Sequence, residues 1–166
     1  FSKTDMGMVR TSNQDAISSG ILAEDAAYGV VCDGMGGVNG GQIASRATVE
    51  CFERRLKKDF RPSLSDEDCE KLLLDALKDA NDAVLKTSQK DKNLSGMGTT
   101  CVAALLSNGT LKLINVGDSR AYIYADGSLN QLTKDHSMVQ HLIDIGQISE
   151  DEAKSHPQKN IITRAV

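Results

Sequence analysis

Short apolar segments near the start of the chain have the length and composition of β-strands. Asp15–Leu22 and Ala27–Cys32 are rich in apolar and β-branched residues, and an acidic turn at Glu24 and Asp25 separates them. The pattern predicts two strands joined by that turn, the second of which leads directly into Asp33.

Two amphipathic segments follow these strands. In Gln42–Lys58 the apolar residues recur at helical spacing, and cations collect toward the C-terminal end, where the helix dipole favours them. Asp66–Gln89 has the clearest amphipathic pattern of the chain, and Ser65 and Asp68 at its start have the spacing of a capping box. We therefore predict two consecutive helices.

Beyond the second helix the pattern returns to strands. Asn108-Gly109 and Asp126-Gly127 are residue pairs typical of two-residue hairpin turns. The predicted strands around them are Thr99–Ser107 with Leu111–Val116, and Ala121–Tyr124 with Leu129–Leu132. Strands joined by such tight turns are antiparallel, so we expect antiparallel sheet in this part of the chain.

The C-terminal part is predicted to be helical again. We expect a helix near Ser137–Ile145 that ends at Gly146, and a short helix near Ser149–Ser155 with Ser149 and Glu152 at capping-box spacing. Helices adjacent in sequence, combined with several meandering strands, predict an α+β fold.

Composition and charge exclude several classes of function. The 166 residues fit one domain, and 19 basic against 23 acidic residues give a net charge of −4, which does not indicate a nucleic-acid surface. The longest apolar run, Val102–Leu106, has the length of a strand and is far too short to span a membrane. The cysteines Cys32, Cys51, Cys69 and Cys101 are never closely paired, so we interpret them as free thiols in a reducing cytoplasm.

The most informative motif is Asp33-Gly34-Met35-Gly36-Gly37, directly after the predicted strand Ala27–Cys32. A carboxylate at the end of a strand, beside unobstructed glycine backbone, suits a hard metal ion. Asp33 and the Gly34 carbonyl could supply neighbouring oxygen ligands to Mg²⁺ or Mn²⁺. The alternative is a strand followed by an ordinary glycine turn, because Asp-Gly is also a common turn dipeptide.

Three further motifs accompany the Asp33 motif in the chain. They are Arg10-Thr11-Ser12-Asn13-Gln14-Asp15, Gly96-Met97-Gly98-Thr99-Thr100 and Val116-Gly117-Asp118-Ser119-Arg120. In this order and at these separations, the four motifs together resemble those of the metal-dependent serine/threonine protein phosphatases of type 2C, the PPM family, in their bacterial form. The resemblance extends from about Asp5 to the last residue.

The resemblance implies an α+β fold with four layers, in which two packed antiparallel β-sheets are flanked by helices. It also implies one type 2C phosphatase-like domain over residues 1–166, with a flap segment at about 135–164 beside the site. Relatives continue with a Ser-Asp-Gly motif and a later Asn-Asp motif, whereas this chain ends in Thr163-Arg164-Ala165-Val166. We therefore expect the domain to be C-terminally incomplete, without its closing strands and the aspartates of those motifs.

The resemblance also assigns roles to individual residues. Asp33 would bridge two Mn²⁺ or Mg²⁺ ions, the Gly34 carbonyl would bind one of them, and Asp118 would help to hold a third, weaker ion. Asp15 would hydrogen-bond water on the metal. Arg10 would grip the phosphate, because a guanidinium pairs with two phosphate oxygens at once.

The activity implied in this way is hydrolysis of phosphoserine and phosphothreonine in proteins by a metal-activated water. The implied substrates are phosphorylated proteins, in particular those of a cognate serine/threonine kinase. Because the domain is expected to be incomplete, we assign this activity to the complete protein and expect the 166-residue chain alone to be inactive.

Two positions depart from the family pattern. Gln14 stands where relatives usually have glutamate, so it can orient a water molecule but adds no charge, and we expect slightly weaker metal retention. Met35 stands where some relatives have histidine as a candidate general acid, a role that methionine cannot fill. Thr99 and Thr100 are interpreted as scaffold near the site, because neither has a base beside it in sequence.

Simpler interpretations exist for parts of the site and for its function. Asp118 could belong to a glycine-led turn between strands and pair locally with Arg120, and we interpret His136 as structural. The alternative function is a catalytically inactive phosphatase-like module for interaction or sensing, although the retention of four charged site residues argues against it. A nucleotide-binding glycine loop fits less well, because the further glycine and the Gly-Lys-Ser/Thr sequence of such loops are absent.

Overall fold

The computed structural model describes residues 1–37 and 39–166. Its strands are β1 (Asp15–Ala23), β2 (Ala26–Met35), β3 (Gly98–Thr99), β4 (Cys101–Ser107), β5 (Thr110–Val116), β6 (Tyr122–Ala125) and β7 (Ser128–Gln131). Its α-helices are α1 (Gly40–Asp59), α2 (Asp66–Lys90), α3 (Met138–Asp144) and α4 (Glu150–Ser155), and a short 3₁₀ helix covers Lys92–Leu94.

The strands form two antiparallel sheets. The larger sheet has the order β1-β2-β4-β5, with β3 paired to the end of β2, and the smaller one is the β6–β7 hairpin. The predicted α+β class, with two antiparallel sheets and helices, is therefore confirmed. One predicted strand, Thr99–Ser107, is divided at Thr100, because the Thr100 hydroxyl takes the place of a backbone carbonyl in accepting the Asp33 N–H.

One face of the larger sheet forms the hydrophobic core with the two long helices. Helix α1 packs on β1 and β2, and α2 packs on α1. The core side chains include Tyr28, Val30, Cys32, Cys101, Ala103 and Leu105 from the sheet, and Phe52, Leu56, Leu73, Ala76 and Ala80 from the helices. All four cysteines are buried and free, as predicted.

The opposite face of this sheet carries partly exposed apolar side chains, and two acidic residues, Asp15 and Asp33, lie at one end of it. Val31, Leu106 and Leu111 are 49%, 41% and 44% exposed there, so this is the face on which the second layer of a sandwich would lie. Because these side chains are not covered by the second sheet, the face-to-face packing of the two sheets stays a prediction. Because alternate residues of a strand point to opposite faces, Asp33 shares this face with Val31.

The turns and caps follow the predicted chemistry. Both residues of each hairpin turn have positive φ, +50° and +75° at Asn108-Gly109 and +52° and +76° at Asp126-Gly127, as a type I′ turn requires. At the start of α2 the Ser65 hydroxyl accepts the Asp68 N–H, which is one half of the predicted capping box, and the Asp68 carboxylate accepts from the Ser65 hydroxyl instead of from its backbone. Ser149 and Glu152 form a complete capping box at α4.

None of the helices in the described residues combines the length and apolar character needed to cross a bilayer.

Candidate active site

The β1–β2 register places two carboxylates side by side. Asp15 is the direct partner of Asp33 across the two antiparallel strands, so both side chains lie on the same face at the same end of the sheet. The pKa of Asp33 is raised above its ordinary value, first because the surrounding protein desolvates the carboxyl group and next because the Asp15 carboxylate lies beside it. Asp118 adds to this effect and Arg10 opposes it.

Glycine is required at position 34 because two segments meet its backbone. A Cβ atom there would lie 2.1 Å from the carbonyl oxygen of Gly41 in α1 and 2.6 Å from the carbonyl oxygen of Gln14. The Gly34 N–H donates to that same Gln14 oxygen at 3.2 Å. The Gln14 side-chain amide donates in turn to the Gly37 carbonyl at 3.1 Å. The glycine motif therefore lets α1 begin directly against the end of β2.

Asp118 reaches the site on a loop that leaves the end of β5. Gly117 turns the chain with a φ of +104°, and a Cβ atom on it would lie 2.6 Å from the Thr100 Cγ2. The Gly117 N–H donates to Nδ1 of His136 at 3.2 Å, and the His136 N–H donates to the Gly117 carbonyl at 2.9 Å. Burial and the charge of Arg164 lower the pKa of His136, which favours the neutral ring that accepts this bond. The structural interpretation of His136 agrees with these contacts.

Arg120 does not pair with Asp118, so the local pairing considered from the sequence is wrong. Its Nε donates to Oδ1 of Asp135 at 2.9 Å and its Nη2 donates to Oδ2 at 2.6 Å. The Asp135 side chain is only 7% exposed, whereas that of Arg120 is 48% exposed. This bidentate pair holds the Arg120 side chain against Asp135, in the segment before α3. Asp118 instead lines the cleft described next.

One cleft of about 450 Å³ collects most of the predicted site residues. Its lining includes Arg10, Gln14, Asp33, Gly34, Met35, Thr100 and Asp118, together with Asn160 and Ile162. Asp15 lines an adjoining cavity with Arg10 and Asp33. Asn160 and Ile162 were not singled out from the sequence as individual residues, because their proximity depends on how the segment after α4 folds back.

The oxygen donors of this cleft suit a hard divalent cation. The Asp15 and Asp33 carboxylates and the Gly34 carbonyl are the ligand types of Mg²⁺ and Mn²⁺. A cation would also relieve the repulsion from Asp15 that, after desolvation, helps to raise the pKa of Asp33. Within residues 1–37 and 39–166, no three His, Cys, Asp or Glu side chains form a cluster that could hold a metal ion by themselves. The donors present thus fit part of a metal centre.

Comparison with known proteins gives the family. The protein phosphatase 2C profile matches residues 9–165, so the chain belongs to the protein phosphatase 2C family. It is 36% identical to the serine/threonine phosphatase Stp of Listeria welshimeri over 99% of this chain, and it spans 65% of the length of that relative.

Solved structures of the same family have the same fold. The serine/threonine phosphatase Stp1 from Staphylococcus aureus superposes with a TM-score of 0.91 at 37% identity, over 99% of this chain and 64% of the other. The catalytic domain of the phosphatase PstP in complex with two manganese ions gives a TM-score of 0.83 at 34% identity, over 98% and 64% of the two chains. The family predicted from the four motifs and the predicted α+β fold with two antiparallel sheets and helices are thus confirmed.

Proposed function

We propose that the complete gene product hydrolyses phosphoserine and phosphothreonine in proteins with the aid of two Mn²⁺ or Mg²⁺ ions. The observation that carries this proposal is the Asp15–Asp33 pair, which lies with Arg10 and Asp118 around two adjoining cavities at the end of the sheet. The names of the relatives support the activity, and the PstP structure with two manganese ions supports the metal.

In this proposal Asp33 and the Gly34 carbonyl hold the ions, and Asp118 holds a third, weaker one. Bound there, divalent ions would supply a more acidic water molecule and charge stabilisation for the phosphoryl oxygens. Asp15, which lies directly opposite Asp33, would accept a hydrogen bond from that water and so orient it. Further aspartates, which the resemblance assigns to the Ser-Asp-Gly and Asn-Asp motifs, would complete the ligand set.

The remaining assignments of the proposal concern the surroundings of the site. Residues 1–166 would belong to one domain, with a flap at about 135–164 that contributes Asn160 and Ile162 to the cleft wall. The substrates would be the products of a cognate serine/threonine kinase. Four free, buried thiols are consistent with a cytoplasmic location.

The direct test is metal-dependent hydrolysis by the complete gene product. Phosphate release from a phosphothreonine peptide should require Mn²⁺ or Mg²⁺, stop when the metal is chelated, and return when it is restored. Because the ions supply the nucleophile, turnover that survives exhaustive chelation would contradict the proposal. A protein that binds manganese but releases no phosphate from any phosphopeptide would instead favour the interaction or sensing module.

The Arg10→Ala variant tests whether Arg10 binds the phosphate group of the substrate. Arg10 is exposed at the rim of the cleft, where its guanidinium could take two phosphate oxygens. We expect KM for a phosphopeptide to rise about 10-fold or more, corresponding to about 1.4 kcal/mol, with a smaller change in kcat. Arg10→Lys should recover only part of the loss, because an ammonium is not bidentate. Unchanged KM in Arg10→Ala would remove Arg10 from the site.

A further inference from the structure

We propose that the hydroxyl groups of Thr100 and Ser119 form a positioning pair that fixes the Asp118 loop relative to Asp33 and thereby sets the affinity of the site for divalent metal. The proposal rests on the proposed function of the site, since it concerns the residues that would hold the ions. It assigns to Ser119 a role that the sequence did not reveal, and to Thr100 a more specific role than scaffold.

Thr100 is bonded to both backbone groups of Asp33. The Thr100 N–H donates to the Asp33 carbonyl at 2.9 Å, and the Asp33 N–H donates to the Thr100 Oγ1 at 2.9 Å. Thr99 adds a bond from its hydroxyl to the same carbonyl at 3.0 Å. Thr100 is 3% exposed, so these groups are shielded from water. The position of Thr100 is therefore fixed with respect to the carboxylate-bearing residue.

The side chain of Thr100 contacts the Asp118 loop through both of its branches. Its Oγ1 lies 2.7 Å from the Oγ of Ser119, the residue that follows Asp118. Its methyl group lies under Gly117, the residue that precedes Asp118, where an added Cβ would come within 2.6 Å of it. One threonine thus touches the neighbours of Asp118 on both sides and joins the loop to the backbone of Asp33.

Electrostatics explains why such a link is needed. Asp118 and Asp15 both bring negative charge close to Asp33, and like charges favour separation when no cation lies between them. The Asp118 loop could relieve this repulsion by moving outward, whereas β1 is held in the sheet. A hydrogen bond between two hydroxyl groups, one of them buried, opposes that movement and keeps the carboxylates arranged for metal before it binds.

The chain offers variants that separate the two contacts. Thr100→Val keeps the branched shape and the methyl under Gly117 but removes the hydroxyl, and with it both the bond to Ser119 and the acceptor of the Asp33 N–H. Thr100→Ser keeps the hydroxyl and removes the methyl. Ser119→Ala removes the other hydroxyl, which lies at a half-buried loop position. Ser18→Ala is the matched control, because its hydroxyl bonds to that of Tyr28 at 3.1 Å in the same sheet but away from the cleft.

The experiment is titration of the complete, metal-free gene product with Mn²⁺ by isothermal calorimetry, alongside the melting temperature without metal. We expect Ser119→Ala and Thr100→Val each to weaken Mn²⁺ binding by about 10-fold or more, as loss of a group that orients a metal ligand commonly does. The double variant should be little weaker than Thr100→Val alone, because Thr100→Val already removes the bond to Ser119 together with the acceptor of the Asp33 N–H. Thr100→Ser should retain more of the affinity, and Ser18→Ala should bind Mn²⁺ like the wild type.

The outcomes separate this inference from the proposed function. If the wild type binds Mn²⁺ and hydrolyses phosphopeptide but Ser119→Ala binds Mn²⁺ equally well, the positioning role is overturned and the function stands. If the hydroxyl variants melt earlier without metal yet keep wild-type affinity, the pair is merely structural and the inference is again wrong. A wild type that binds no divalent metal would overturn both.

Discussion

Asp33→Asn in the complete gene product should lower the rate of phosphothreonine hydrolysis by about 10³-fold or more. Asp33 is proposed to help hold the two ions, and an amide in its place would remove negative charge from the site while keeping the size of the side chain. The measurement is kcat and kcat/KM with saturating Mn²⁺, together with Mn²⁺ affinity by calorimetry. Both the affinity and the rate should fall, since the ions are proposed to supply the nucleophile.

The same variant should be more stable than the wild type when metal is absent. The Asp33 carboxylate is desolvated and lies against Asp15, so its ionisation at neutral pH destabilises the folded chain. Removing the charge should stabilise the fold by up to about 1 kcal/mol, which is ~2–4 °C in Tm for a chain of this size. A lost rate combined with a raised Tm would show that the variant fails in metal binding and not in folding.

The pH dependence of this stability gain has a definite sign. A raised pKa in the folded state means that the fold binds the Asp33 proton more tightly than the unfolded chain does, so ionisation weakens the fold as pH rises through that pKa. The difference in Tm between Asp33→Asn and wild type should therefore be largest at neutral pH. It should shrink as pH falls through the raised pKa of Asp33, where the wild-type carboxyl is protonated.

Asp25→Asn is the matched control for this substitution. Asp25 lies in the exposed turn between β1 and β2, away from the site, so its replacement should change neither the rate nor the Tm appreciably. Normal turnover by Asp33→Asn, with Asp25→Asn also normal, would end the assignment of Asp33 as a metal ligand. A Tm that falls in metal-free Asp33→Asn would contradict the electrostatic explanation.

Local sequence patterns predicted the elements of the fold well, because their causes are local. The hairpin pairs Asn108-Gly109 and Asp126-Gly127 and the capping residues Ser65 and Ser149 act through neighbours a few positions away. The carboxylate–glycine junction at Asp33 was likewise visible, since the apolar strand pattern stops before Asp33 and a helix period follows, although β2 itself continues to Met35.

The contacts that assemble the site were not predictable from pattern alone, because they join distant parts of the chain. The spacing of Arg120 and Asp118 suggested a local pair, but the partner of Arg120 is Asp135, which the chain brings back after the β6–β7 hairpin. The direct opposition of Asp15 and Asp33 depends on the register of β1 and β2, which their apolar pattern did not determine at single-residue precision. The Thr100–Ser119 bond depends on how the Gly117 loop packs against Thr100, between β3 and β4.

Gly34→Ala should destabilise the fold severely. The added methyl group would lie 2.1 Å from the Gly41 carbonyl oxygen and 2.4 Å from its carbonyl carbon, with the Gln14 carbonyl oxygen at 2.6 Å. These atoms are backbone from two different segments, so no side-chain rotation can relieve the clash, and α1 would have to move away from β2. We expect a loss of about 3 kcal/mol or more in the free energy of unfolding, or roughly 6–12 °C in Tm.

Gly29→Ala is the matched control for Gly34→Ala, because it places the same substitution in the same strand. An added Cβ at Gly29 meets no heavy atom within 4 Å, and its φ lies outside the left-handed region, so alanine should be neutral or stabilise the chain by up to about 1 kcal/mol. Thermal unfolding of the two variants side by side therefore separates close packing from any general intolerance of β2 to larger residues. Equal melting temperatures for both variants would mean that α1 does not pack closely against Gly34. The close contact between the end of β2, which carries Asp33, and the start of α1 would then be wrong.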